Sequence, residues 1–382
     1  MGAVEILLIC LLCLSGYPFI IYPVFISLLS KLYRKPIKVD PNFEADITII
    51  TPVHNEENNL VPLVNSVVDS GYPLSKIQMI FGSDGSTDGT NSQLEELSRM
   101  YNFVEFYIFP RSGKNYVLNR LIAKAKNQIV LFLDADIRLE KGTLHKLVSY
   151  FSDETIGGVL ANVELAHKKI SQYTIQDRQF HGFFSKIRKW ESDIYATVNG
   201  MGPCYAVRRE LIPEIPNDRV CDDFFILLEV VSKGKRMVYA NDVLATDVRQ
   251  RDEVWKEFHR KMRFSAGGIS AILAARRIFR NPWFTFMVIS HKLLRWFSPL
   301  LLLLAVVLLP FAELSWIKLL GFSIIAVFLL LIIISLLDLK LGARKFTMPM
   351  YVVFSFAGTI AGIFRALSGQ QNSTWTLERL EN

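Results

Sequence analysis

Apolar residues gather at the two ends of the chain, whereas residues 38–264 mix apolar and polar positions as an α/β domain does. Residues 4–32 are almost continuously apolar and long enough to cross a bilayer, even with Pro18 and Pro23 among them. No Lys or Arg precedes this run and it is too long for a cleaved leader, so it is expected to stay as an anchor. Three further apolar runs, at 296–311, 319–337 and 346–364, predict C-terminal membrane spans. Between the ends, β-branched and apolar runs at 47–50, 77–81, 103–109 and 128–134 alternate with helical patterns at 59–70, 91–101 and 114–127. Such alternation implies βαβ units, right-handed crossovers and a mainly parallel sheet that binds its ligand at the carboxyl ends of the strands.

Polar turns close those strands. The first ends at Pro52, Asn55 and Glu56, the second at Asp84, Ser86 and Asp88, and the fourth at Asp134-Ala-Asp136. Each acid alone suits a helix cap or a solvated turn, and Lys114 alone suits a solvated helix position. Together they lie at strand ends on one edge, so they are expected to converge on one crevice. There the acid pair has the hard oxygen donors that Mg²⁺ or Mn²⁺ takes beside nucleotide phosphates. Gly113-Lys114 is not a phosphate-binding P-loop, since the upstream glycine and the following Ser or Thr are missing. Farther on, Asn199-Gly-Met-Gly202 is a small-residue turn suited to close approach of a ligand, and Cys221-Asp222-Asp223 opens a helix that the two acids either cap or use. The segment 249–268 sets Arg251, Arg260, Lys261 and Arg263 among Trp255, Phe258 and Phe264, which suits an interfacial collar or a diphosphate site.

Charge and cysteine usage narrow the classes. The formal net charge of +7 resembles a nucleic-acid signature, but much of the Lys and Arg flanks the apolar segments, so a bilayer is the expected partner and nucleic acid is not. Lys31, Arg34, Lys35 and Lys38 follow the first apolar run, and only Glu5 precedes it, which places the middle domain in the cytoplasm. Lys340, Arg344 and Lys345 put the loop between the last two runs on that same side. Four cysteines give no disulfide framework and fit a reducing compartment; Cys10 and Cys13 are read as packing residues. Residues 269–280, with Arg276, Arg277 and Arg280, read as an amphipathic helix on the cytoplasmic leaflet, and 283–294, with His291 and Lys292 and followed by Arg295, as interfacial.

In this order the motifs resemble the membrane-embedded family 2 glycosyltransferases, the group of cellulose, hyaluronan and poly-N-acetylglucosamine synthases. The resemblance covers roughly residues 46–268, with a similar flanking membrane layout. It implies a GT-A fold, Rossmann-like with a mainly parallel sheet, at 39–265. An anchor at 1–38, an interfacial segment at 266–295 and about three spans with a tail at 296–382 would flank it. It also implies roles. Pro52, Asn55, Glu56 and Ser86 would hold the nucleoside, Asp84 would contact the base, and Lys114 would be the nucleotide-side lysine. Asp134 and Asp136 would hold Mg²⁺ or Mn²⁺. Asp222 and Asp223 stand where the family has Glu-Asp, with Asp223 as general base. Arg260-Lys-Met-Arg263-Phe264 replaces Gln-x-x-Arg-Trp, keeping the cation of Arg263 at the diphosphate but losing an amide and an indole N–H. The expected activity is metal-dependent inverting transfer from a nucleotide-sugar, a UDP-sugar above others, to a growing envelope polysaccharide in the plasma or inner membrane. Single addition to a lipid acceptor is the alternative within the enzymes, and a nucleotide-sensing membrane protein the alternative outside them. Accessory subunits are left open.

Overall fold

The computed structural model describes residues 2–166, 172–200, 202–217, 221–249, 254–340 and 348–369. Arg251, Arg344 and Lys345 lie outside the described residues. The chain opens with helices α1 (Ala3–Gly16) and α2 (Ile21–Leu32), then enters β1 (Ile47–Val53), α3 (Glu57–Asp69), β2 (Ile77–Asp84), α4 (Thr90–Met100) and β3 (Val104–Phe109). Next come α5 (Lys114–Lys124), β4 (Ile129–Leu133), β5 (Ile137–Leu139), α6 (Thr143–Ser149), β6 (Ile156–Leu165) and α7 (Gln172–Ile194). The domain closes with β7 (Cys204–Arg208), α8 (Asp222–Ser232), β8 (Arg236–Asp247) and α9 (Val254–Ala274). Helices α10 (Pro282–Val288), α11 (Leu294–Leu308), α12 (Ser315–Lys340) and α13 (Met348–Leu367) follow.

One eight-stranded sheet carries the order β3-β2-β1-β4-β7-β6-β8-β5. The β2–β1–β4 centre and the β2–β3 and β6–β8 pairs are parallel, while β7 runs antiparallel between β4 and β6. Every residue of β1, β2 and β4 is buried, as expected of parallel strands covered on both faces. Strand alternation sorts their side chains into two cores. Ile50, Ile80, Val130 and Phe132 pack with Val117 and Leu121 of α5 and Phe224 and Leu228 of α8. Ile49, Met79 and Leu131 pack on the opposite face with Leu60 and Leu63 of α3 and Leu94 of α4. The carboxyl ends of β1, β2 and β4 therefore lie side by side at one edge.

The membrane-like part differs from expectation at 269–294. The N-terminal run is two helices bent by 52°, with Pro18 in the break. Residues 269–280 are not one helix: α9 ends at Ala274, with Ile269 and Ile272 entering the core beside α8, and a 3₁₀ turn over Arg276–Arg280 buries Ile278. Residues 283–294 continue into a helical stretch, Pro282–Phe311, long and apolar enough to cross a membrane. Ser315–Asp338 and Met348–Leu367 also meet that test. The polar residues that made 283–294 look interfacial are buried against protein, His291 on Glu191 and Lys292 on Asn199. Along Pro282–Phe311 the first helices lie antiparallel: Glu5 accepts from the backbone of Glu313, Ser298 donates to the Ser15 carbonyl, and Tyr17 pairs with Ser290.

Candidate active site

The turn after β1 is set by Asn55, whose φ of +53° is a left-handed conformation that Asn tolerates through its short polar side chain. That backbone turn lets Asn55 bond across to the next strand's turn, its side-chain oxygen accepting from Thr87 N at 2.8 Å and its N–H donating to Ser86 Oγ at 3.2 Å. Pro52 is buried at the end of β1, and the buried Glu56 receives Asn59 Nδ2 at 2.8 Å. These sequence-predicted residues thus share one rim.

Asp84 ends β2 with its carboxylate fully enclosed: it accepts from Ser112 N at 2.6 Å, from Gly113 N at 3.0 and 3.1 Å, and from Arg111 Nη1 at 2.8 Å. A contact to a nucleotide base through this carboxylate would have to displace those donors, whereas the present bonds fix the loop that starts α5. Gly85 makes the approach possible, since a Cβ there would stand 2.9 Å from Arg111 N and φ is +63°. The loop so held delivers Lys114, whose Nζ lies 3.1 Å from Asp134 Oδ1 and 3.6 Å from Asp222 Oδ2. Burial acts to depress the Lys114 ammonium, but Asp134 and Asp222 outweigh it and hold the pKa above its ordinary value.

Asp134 and Asp136 leave β4 toward different cations. Asp136 is 3% exposed and binds Arg249 Nε at 2.6 Å through Oδ2. Arg249 in turn forms a fork on Asp247 at the end of β8, with Nη2 to Oδ2 at 2.9 Å. Arg111, Asp247 and Arg249 were not anticipated; the Asp247-Val-Arg249 spacing after a β-rich run was the available signal. The two carboxylates already gather positive charge, and their oxygen donors fit a divalent ion that also takes phosphate oxygens. Among the described residues no group of three or more His, Cys, Asp and Glu forms a protein-only cage.

Asp222 and Asp223 begin α8. Burial, and then Asp222, pushes Asp223 up to about 6; burial also raises Asp222, against the pull of Lys114. Gly200 and Gly202 lie against Asp223: a Cβ on Gly200 would stand 2.5 Å, and one on Gly202 3.4 Å, from Asp223 Oδ2. Lys292, held by Asn199, is within electrostatic reach of Asp223. Neighbouring Cys221 is pushed up to about 12 by burial and the two acids. The basic segment splits: Arg260 pairs with Glu257 at 2.5 Å, while the exposed Arg263 lies over Phe264, whose carbonyl meets Cys221 Sγ at 3.9 Å. Of the two, Arg263 is the one turned toward the Asp222–Asp223 end.

Residues 48–215 match the family Glycosyl transferase family 2. The probable glycosyltransferase YdaM of Bacillus subtilis (strain 168) is 23% identical over 239 residues, 59% of this chain and 56% of that protein. Glycosyltransferase AglE of Haloferax volcanii is 25% identical over 203 residues, 52% of this chain and 65% of that protein. Hyaluronan synthase of Streptococcus pyogenes serotype M3 is 25% identical over 297 residues, 70% of this chain and 68% of that protein. The match thus spans less than two thirds of the first two relatives' length. In fold, the chain is similar to the mannosyltransferase PcManGT from Pyrobaculum calidifontis, solved with GDP-Man and Mn²⁺. The TM-score is 0.71 with 21% identity, over 96% of this chain and 100% of that one.

Proposed function

We propose that this chain, whose residues 48–215 match Glycosyl transferase family 2, is a membrane-bound inverting glycosyltransferase that moves a sugar from a nucleotide-sugar to an acceptor of the cell envelope. The observation that carries the reading is the division of the two acids at the start of α8. Asp222 pairs with Lys114 beside Asp134, whereas Asp223 lies against Gly200 and Gly202 within reach of Lys292. One acid belongs to the donor side and the other to the acceptor side.

The chemistry follows from that division. Breaking the anomeric C–O bond builds charge on the departing diphosphate, which Lys114 and Arg263 offset. Asp134 and Asp136 would hold Mg²⁺ or Mn²⁺, which supplies Lewis-acid neutralisation of the diphosphate. Asp223 accepts the proton of the acceptor hydroxyl, and a pKa near 6 suits a base at neutral pH. With Asp134 and Asp222 both paired with Lys114 and Asp223 acting as the base, displacement is direct and inverts the anomeric centre. Asn55, Glu56, Ser86 and Pro52 line the nucleoside end, with a UDP-sugar the first donor to try. The basic cluster after α2 favours a cytoplasmic catalytic domain in the plasma or inner membrane.

Two acceptors fit this chemistry, a growing polysaccharide and a lipid. The pairing of Arg260 with Glu257 favours the lipid acceptor and single addition, because it draws the residue replacing the synthases' Gln away from the acceptor.

The test is nucleoside diphosphate release by the purified full chain across UDP- and GDP-sugars, with and without Mn²⁺ or Mg²⁺. Metal-dependent release abolished by both Asp134→Asn and Asp223→Asn is expected. Intact donors in the presence of membrane lipid, or variants as active as the parent, would leave the nucleotide-sensing reading in its place.

A further inference from the structure

Three cations meet where the catalytic domain joins the apolar helices, and none of the mechanism above uses Arg188 or Arg295. Arg188 of α7 is 3% exposed, donates to Ser185 Oγ at 2.7 Å and has an Nε with no hydrogen-bond partner. Arg295 stacks on Phe184 at 4.7 Å and reaches His291 Nε2 at 3.4 Å. Lys292 bonds to Asn199 and lies 5.0 Å from the Phe224 ring centroid and 5.5 Å from that of Trp296. None of the three has a carboxylate within ion-pair distance among the described residues.

The carboxylate of this junction is already taken. Glu191 accepts from Tyr22 Oη at 2.7 Å, His291 Nδ1 at 2.6 Å, Thr197 Oγ1 at 3.1 Å and Val198 N at 3.1 Å. Glu257 is likewise shared between Arg260 and Lys261. The excess is felt by Lys261, which is pushed down to about 8 by burial and by Arg260 and Arg295, against Glu257. Lys292 and Arg295 lie within Pro282–Phe311, where uncompensated charge is costly and marks a ligand path.

Resting on the transferase reading, we infer that Arg188, Lys292 and Arg295 bind the phosphate of a lipid-borne acceptor and so present that acceptor to Asp223. The donor's own phosphates are served by Lys114, beside Asp134 and Asp222, so the shared chemistry, a phosphate, is assigned here to the lipid. The apolar walls given by Phe184, Phe224 and Trp296 suit the adjoining chain, and entry is along helices that lie in the bilayer.

The experiment is equilibrium binding of hexadecyl phosphate, hexadecanol, inorganic phosphate and UDP to the full chain in phosphatidylcholine nanodiscs. Hexadecyl phosphate is expected to bind at least tenfold more tightly than hexadecanol or inorganic phosphate. Arg295→Gln and Lys292→Gln should each weaken it tenfold or more, and Lys292→Arg should restore most of the affinity while confirming that the site folds. Equal binding of alcohol and phosphate, charge-neutral variants that bind alike, or loss of UDP rather than lipid phosphate in those variants would each overturn the assignment. Failure of every nucleotide-sugar to turn over would sink the transferase reading instead, and this binding result is read independently of it.

Discussion

The Lys114 ammonium stands 3.1 Å from the Asp134 carboxylate, and that pair exists because Asp84, on another strand, holds the backbone in front of Lys114. A turn at the end of β2 therefore sets the charge at the end of β4. Replacing Lys114 by Met should leave Asp134 and Asp222 without their shared cation. The expected result is a fall in kcat/KM for the donor of about 10²-fold, the scale of losing one preorganised electrostatic partner. Steady-state turnover with thermal melting on the same samples separates this from unfolding.

Activity should follow the ionisation of Asp223. Its folded pKa is raised to about 6, so below that pH the carboxyl is protonated and cannot accept the acceptor's proton. As pH rises through about 6 the base appears. A profile of kcat/KM is expected to fall about tenfold per pH unit below this point and level off above it. A flat profile between pH 5 and 8 would argue against Asp223 as the base.

Gly200→Ala tests the turn over Asp223. The added Cβ would come 2.5 Å from Asp223 Oδ2, the end of a side chain that can swing away, so catalysis should suffer more than stability. We expect a drop of about 10²-fold in kcat, on the scale of misplacing a reacting group by an ångström, with a small change in melting temperature. Gly85→Ala is the converse: with φ at +63° and Arg111 backbone 2.9 Å away, it should cost about 1–3 kcal/mol of stability.

Glu191→Gln should destabilise the junction between domain and apolar helices. The amide NH2 that replaces one carboxylate oxygen can no longer accept from the donors gathered there in a fully buried site, and losing a hydrogen bond to a charged group costs about 1.5–3 kcal/mol. Thermal unfolding in detergent, followed by intrinsic fluorescence, measures it. Unchanged melting would mean that the Tyr22 and Thr197 contacts suffice.

Much of the catalytic half is written in local pattern. The β-branched run at Ile47–Ile50, the glycine and hydroxyl turn after Asp84, and the abrupt stop at Asp134 each state their structure within a few residues, and parallel order then brings their ends together. What escaped was non-local. Asp136 meets Arg249 from a strand more than a hundred positions later, and nothing beside either residue names the other. His291 and Lys292 looked like residues seeking the membrane surface because their partners, Glu191 and Asn199, are about a hundred positions upstream. The bend between α1 and α2 was hinted at by Pro18, but hydropathy alone reads both helices as one run. Caps and turns announce themselves; pairings across the fold do not.

An early residue of the chain waits on a late one. Glu5 is fully buried, and its carboxylate accepts from the backbone N–H of Glu313 at 2.5 Å and of Leu314 at 3.3 Å, 308 and 309 positions downstream. Until that corner exists, the Glu5 carboxylate has only the local backbone donors of Gly2 and Glu5. During synthesis, then, this carboxylate works as a latch that closes only on a chain already long enough to include the whole catalytic domain.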